Sequence, residues 1–140
     1  MAGAVSNVEV NWQEDNLFLA ENEAGGQALL GGENIRPMEM VLASLAGCTG
    51  VDVVNILKKK RVDFSDLKIN VSGKRAETHP KVYTEIQVTY YVWGDNIKEK
   101  DVEQAIELSE SKYCSVSAML KSTAKIETGF KILAPGEAIK

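Results

Sequence analysis

The chain changes its hydrophobic period four times, and each change marks an element. From Ala4 to Trp12 the apolar residues Val5, Val8, Val10 and Trp12 fall near every second position, with a slip at Asn7. That spacing predicts a strand. Asp15-Asn16 supplies a turn, and Leu17-Phe18-Leu19 a second strand, so Trp12 to Leu17 reads as a hairpin. Gly25-Gly26 turns the chain into a third short strand, Gln27 to Leu30. Alternation then stops. Pro37 to Lys60 carries apolar or small residues at nearly every position from Met40 to Leu57, the mark of a helix covered on all sides. Pro37 suits its first position and Glu39 its first turn; Lys58, Lys59, Lys60 and Arg61 suit its last.

Alternation resumes at Leu67, Ile69 and Val71, ends at Gly73, and returns in a long run from Val82 to Val92 after the break at His79-Pro80. The apolar stripe Val102, Ala105, Ile106 and Leu108 predicts a helix over Lys98–Tyr113 that stops at Cys114. A second short helix follows, with Ser115 as its N-cap, and then a last strand through Ile126, Thr128, Phe130 and Ile132. Three strands, a buried helix, two strands, two helices and a strand give an α+β fold without the alternating units of a doubly wound sheet. A single sheet in a chain this size covers one side of the long helix. A homodimer with that helix near its centre is therefore expected.

Length and composition set bounds. The 140 residues make one domain, 1–140, large enough for a core without staples. The net charge of −4 speaks against a nucleic-acid partner. No apolar run is expected to reach membrane-spanning length; the central helix carries Asp52 and Asn55. The N-terminus shows no basic region leading into an apolar core, which with two cysteines far apart places the protein in a reducing cytoplasm. One histidine, and no closely spaced cysteine or histidine pair, leave no metal site to expect.

The two cysteines are the candidate chemistry. Cys48 sits inside the buried helix between Gly47 and Gly50, which fits either a close approach to the sulfur or a tight helix crossing. Cys114 sits at the junction of two helices. Read from the residues alone, they are packing thiols or a reactive pair, and proximity in space decides between these. Asp52, one turn after Cys48 on the same face, would oppose a Cys48 thiolate. It is expected to be neutral, turned away or, most simply, paired with a cation such as Arg36, Arg75 or a lysine. Ser115 and Ser117 have no histidine base beside them and read as caps.

The run Pro37-Met-Glu-Met-Val-Leu-Ala-Ser-Leu-Ala-Gly-Cys48 resembles the first cysteine helix of the OsmC/Ohr family, the osmotically inducible and organic-hydroperoxide-resistance proteins. Ala105 to Cys114-Ser-Val-Ser resembles that family's second cysteine motif, and His79-Pro80-Lys81-Val82-Tyr83 before a long strand also fits. The likeness spans nearly the whole chain and is nearest to the shorter OsmC-like branch. It implies an OsmC-like fold, antiparallel sheets around a long buried central helix in an intertwined homodimer. It implies a thiol-dependent peroxidase of organic hydroperoxides in the oxidative stress response, with Cys48 peroxidatic and Cys114 resolving. An external dithiol, lipoyl-type in some relatives, would restore the thiols, with no bound cofactor or metal.

Activation departs from the family pattern. The nucleophile must be a thiolate, and Cys48 lies roughly 16 Å along the helix from its N-terminus, too far for the macrodipole. The family's peroxidases bring an arginine from the N-terminal region, held by a glutamate that directly follows the helix-opening proline. Here no arginine precedes Arg36, Met38 stands after Pro37, and Glu39 comes one place later, about 100° around the helix. The resemblance therefore assigns the catalytic set as Cys48, Cys114, Arg36 and Glu39, with Glu39 open to a second reading as a plain cap. The alternative function is a non-catalytic OsmC-like dimer that binds a small apolar or thiol ligand between subunits. A third has both cysteines as packing residues in a dimer of unrelated role.

Overall fold

The computed structural model describes residues 3–140, which fall into two compact units divided between Val41 and Leu42. The first is a three-stranded antiparallel meander: β1 (Val8–Glu14), β2 (Leu17–Asn22) and β3 (Gln27–Leu30), in the order β1-β2-β3. Asp15, at φ 45°, turns the β1–β2 hairpin, and the Trp12 indole N–H donates to the Asp15 carbonyl at 2.8 Å. Gly31 leaves β3 at φ 86°, where a side chain would run into the Asn16 carbonyl oxygen; only glycine fits. β1 starts at Val8, so Val5 lies outside the strand that its spacing suggested. The pairs Trp12–Phe18–Leu30 and Val10–Ala20–Ala28 gather apolar residues on one face of this sheet. Val8, Val10 and Trp12 are exposed.

The long helix α1 (Pro37–Lys59) begins in the first unit and runs through the second. Its 23 residues are long and apolar enough to cross a bilayer by length and composition, which corrects the expectation that no run reaches that size. Part of that apolarity serves packing within the chain. Leu45, Thr49, Val53 and Leu57 recur every fourth residue and are fully buried, one stripe along the helix. Burying each of the three aliphatic side chains stabilises the fold by about 1.5–3 kcal/mol. Within one chain the other faces are less covered; Val51 keeps 62% of its surface exposed.

The second unit is built on β4 (Phe64–Arg75), β5 (Tyr83–Gly94) and β6 (Lys125–Leu133), with β5 in the middle. Tyr83, Ile86, Val88, Tyr90 and Val92 along β5 are buried and form the core row. β4 pairs antiparallel with β5, setting Ile69 opposite Tyr90. β6 pairs parallel with β5, setting Phe130 opposite Tyr90. The expectation of purely antiparallel sheets thus fails at this pair. A parallel neighbour needs a crossover of a dozen residues or more, and the helical segment between β5 and β6 supplies it.

That segment is α2 (Glu99–Leu108), a π-helical turn (Ser109–Tyr113) and α3 (Ser115–Leu120). The helix expected over Lys98–Tyr113 therefore changes character at Ser109. The Cys114 N–H donates five residues back, to the Ser109 carbonyl, at 2.8 Å. Widened turns of this kind re-aim the residues they carry and recur at functional sites.

Candidate functional site

Four hydrogen-bonding side chains lie between α1, β5 and the π-turn. The Thr49 and Tyr90 hydroxyls are 2.8 Å apart, and the Thr49 and Ser109 hydroxyls 2.7 Å. The Ser109 hydroxyl donates to Asp52 Oδ2 at 2.9 Å. Thr49, Tyr90 and Ser109 are fully buried, so each hydroxyl needs a partner inside the protein. The spacing does this work: Thr49 belongs to the buried stripe of α1, Asp52 lies three residues on, and Ser109 opens the π-turn. The expected cation partner of Asp52 is thereby corrected. A serine hydroxyl solvates its half-buried carboxylate instead, while Arg75 is engaged through its Nε–H with the Lys81 carbonyl at 2.8 Å. Thr49, Ser109 and Tyr90 were not singled out by sequence reasoning. Their one signal was polar residues at positions that the periodicity assigned to the core.

The network locks together the two stretches that carry the cysteines. Cys48 precedes Thr49 on α1; Cys114 is tied through its N–H to Ser109. The two thiols, both free, come within hydrogen-bonding reach of each other. Cys48 is partly exposed and Cys114 keeps 3% of its surface. Beside Cys48 the glycines split their roles. A Cβ on Gly47 would meet nothing within 4 Å, whereas one on Gly50 would press on Ile69 Cδ1 at 3.1 Å. Close packing of α1 on β4 explains Gly50, and Gly47 leaves the cysteine's neighbourhood open.

Cys114, not Ser115, is the N-cap of α3: its Sγ accepts the Ser117 N–H at 3.4 Å. The chain turns into helix at the junction itself, so the cap position falls one residue earlier than a serine-based reading puts it. Burial pushes the Cys114 thiol up to about 11, with further upward push from Cys48 and the Glu110 carboxylate, while the Ser117 N–H pulls the other way. At neutral pH Cys114 is a thiol. Burial likewise raises the Tyr90 phenol to about 12, against the Thr49 hydrogen bond and with Glu110, Cys114 and Asp52 adding to the rise.

Arg36 and Glu39 belong to the first unit. Glu39 Oε1 accepts the Arg36 backbone N–H at 2.9 Å, half of a capping box at the start of α1. The cap reading of Glu39 is thus realised, and both residues are exposed.

Residues 30–129 match the family model described as OsmC-like protein. The chain belongs to the OsmC-like family. Protein YhfA of Escherichia coli K12 is 37% identical over 129 residues, covering 89% of this chain and 96% of its own. The crystal structure of a hypothetical protein from Aquifex aeolicus VF5 is 40% identical with a TM-score of 0.88, covering 94% and 98% of the two chains. The organic hydroperoxide resistance protein OhrB of Bacillus subtilis superposes with a TM-score of 0.62 at 13% identity, over 91% of this chain and 98% of that one, a likeness of fold. The OsmC-like fold expected from the sequence is therefore the fold observed.

Proposed function

We propose that this OsmC-like protein is a thiol peroxidase that reduces organic hydroperoxides with Cys48 and Cys114. The observation that carries the reading is the meeting of the two thiols, brought from distant parts of the chain into hydrogen-bonding reach. Family membership supports the coarser role, a peroxide-related stress response. In the proposed cycle the Cys48 thiolate attacks the distal peroxide oxygen. The O–O bond breaks, the alcohol leaves with a proton, and Cys48 becomes a sulfenic acid. Cys114 then attacks the Cys48 sulfur, the S–O bond breaks, and water leaves as the disulfide forms. An external dithiol in the cytoplasm, itself oxidised, reduces the disulfide. The roles follow the burial: the more accessible thiol meets the peroxide, and the sealed thiol waits as the second partner. Arg36 remains the candidate cation for the Cys48 thiolate and Glu39 the carboxylate that holds it.

A homodimer completes the reading. α1 buries a single stripe in one chain while Val51 stays exposed, and β1 is exposed along its length. A second copy of the chain would cover such surfaces.

Consumption of cumene hydroperoxide with dithiothreitol tests the activity. Loss of peroxide that disappears in Cys48→Ser supports it. Intact mass after one equivalent of peroxide should fall by two hydrogens within one chain, and Cys114→Ser should abolish that loss. The capping role of Glu39 favours the second reading, a dimer that binds a small apolar or thiol ligand with weakened peroxidase chemistry. Slow peroxide loss without a Cys48–Cys114 disulfide would decide for it.

A further inference from the structure

Glu110 stands on the π-turn and shares Ser117 with Cys114. The Ser117 hydroxyl donates to Glu110 Oε2 at 3.0 Å, and the Ser117 N–H to Cys114 Sγ at 3.4 Å. The Lys121 ammonium lies 3.7 Å from the same Oε2 and donates to the Glu110 carbonyl at 2.8 Å. The Glu110 side chain is only 15% exposed. Its second oxygen, Oε1, is sealed from solvent and has no hydrogen-bond partner among the described residues. Buried acceptors without a donor are rare and call for an explanation. Glu110 also lines a groove of about 630 Å³ together with Glu103, Glu107, Lys121, Ile126 and Phe130.

We propose that Glu110 is the proton acceptor that activates Cys114 when it closes on Cys48. The inference rests on the cysteine pairing of the function proposed above. A buried thiol cannot attack efficiently until its proton leaves, and an acceptor joined to it through Ser117 is placed to take that proton during the attack. In the peroxide cycle the Cys114 sulfur bonds to the Cys48 sulfur, the S–O bond breaks, and Glu110 takes the thiol proton. The carboxylic acid then returns that proton to the departing hydroxide, giving water and the carboxylate again. The other titratable or charged groups facing this region are Lys121 on Oε2, Tyr90 from β5, Cys48 and Asp52 from α1, and Glu103 and Glu107, which line the same groove.

The electrostatic effect of Glu110 and its proposed chemical role have opposite signs, which makes the test decisive. As a neighbouring negative charge Glu110 holds the Cys114 thiol up, so neutral Glu110→Gln should ease thiolate formation and quicken attack. As proton acceptor its loss should slow attack. The reduced protein is treated with 5,5′-dithiobis(2-nitrobenzoate) and no peroxide. The reagent labels Cys48 with release of one thionitrobenzoate; attack by Cys114 on the labelled sulfur forms the disulfide and releases a second. Glu110→Gln is expected to leave the first release unchanged and slow the second by about tenfold or more. Its second-phase rate should climb toward alkaline pH where the unaltered protein has levelled off, and Glu110→Asp should recover part of the rate. A second release that is unchanged or faster in Glu110→Gln overturns the proposal, as does an unaltered protein that releases one equivalent only. If the amide variant does not fold, Ser117→Ala, which frees the carboxylate without removing it, decides: a slower second release supports the proposal and an unchanged one overturns it. Because no peroxide is present, a protein that closes the disulfide here but consumes no hydroperoxide refutes the peroxidase reading and leaves this one standing.

Discussion

The hydroxyls of Thr49 and Ser109 meet at 2.7 Å across sixty residues of sequence. This bond joins the α1 turn that carries Cys48 to the π-turn that leads into Cys114, and both hydroxyls have further partners. Thr49 shares its hydroxyl with Tyr90, and Ser109 donates to Asp52. A buried network of this kind fixes a relative position more firmly than an apolar contact, because every displaced member is left without water or partner.

Removing one member should therefore cost more than a single surface hydrogen bond. Thr49→Val and Ser109→Ala are each expected to lower unfolding free energy by about 1–3 kcal/mol, since each leaves a buried hydroxyl or a carboxylate short of a partner. The double variant should lose less than the sum of the two. Urea denaturation of the three proteins checks this. Thr49→Ser, which keeps the hydroxyl, should lie near the unaltered protein.

Arg36 and Glu39 make separable predictions. Glu39→Ala removes the acceptor of the Arg36 N–H and should destabilise α1 by about 0.5–2 kcal/mol whatever its part in catalysis. Arg36→Ala leaves that backbone bond in place. If the guanidinium stabilises the Cys48 thiolate, Arg36→Ala should slow alkylation of Cys48 by iodoacetamide at neutral pH and move its pH profile upward. Equal profiles in the two proteins would remove Arg36 from the site.

Stability should fall in alkali. Cys114 rises from an ordinary thiol value of 9.0 to about 11, and Tyr90 from 10.0 to about 12. Between the unfolded and folded values the unfolded chain has lost the proton while the native state holds it, so the unfolded state is favoured as pH rises. The contribution is complete below pH 9 and lost progressively through pH 11 and 12. Cys114 and Tyr90 both contribute to that loss. Denaturation midpoints from pH 8 to pH 12 check it, and Cys114→Ser should shallow the slope.

The exposed side of α1 predicts assembly. Val51→Glu adds a charge where the lone chain leaves 62% exposure. In a monomer that change is close to neutral. In a dimer seated on this face it should raise the dissociation constant steeply, because a charge would be buried without a partner. Sedimentation velocity across a concentration series separates the two.

The local pattern carried most of the fold. β5 alternates so cleanly, and α1 is so uniformly apolar, that each was legible from its own residues and had only to be placed. Cys48 and Cys114 were legible as the candidate chemistry for the same reason: a thiol inside an apolar helix and a thiol at a helix junction stand out locally. Other features were not legible. Pairing direction is not a property of one strand, so the parallel register of β6 on β5 stayed hidden until the crossover was seen. The cap of α3 fell to Cys114 because the widened turn before it shifts the helix start, a choice made by the path of the backbone.

Sequence alone therefore determined the elements, their order, the two sulfurs and the OsmC-like character of the chain, since these depend on residue type and short-range period. Tertiary structure decided which polar groups meet: Asp52 with a serine in place of a cation, Thr49 with both Tyr90 and Ser109, and Glu110 joined to Cys114 through Ser117 with one oxygen unpartnered. Hydrogen bonds and proton positions act over a few ångströms between residues from distant parts of the chain, and only the packed fold sets those distances.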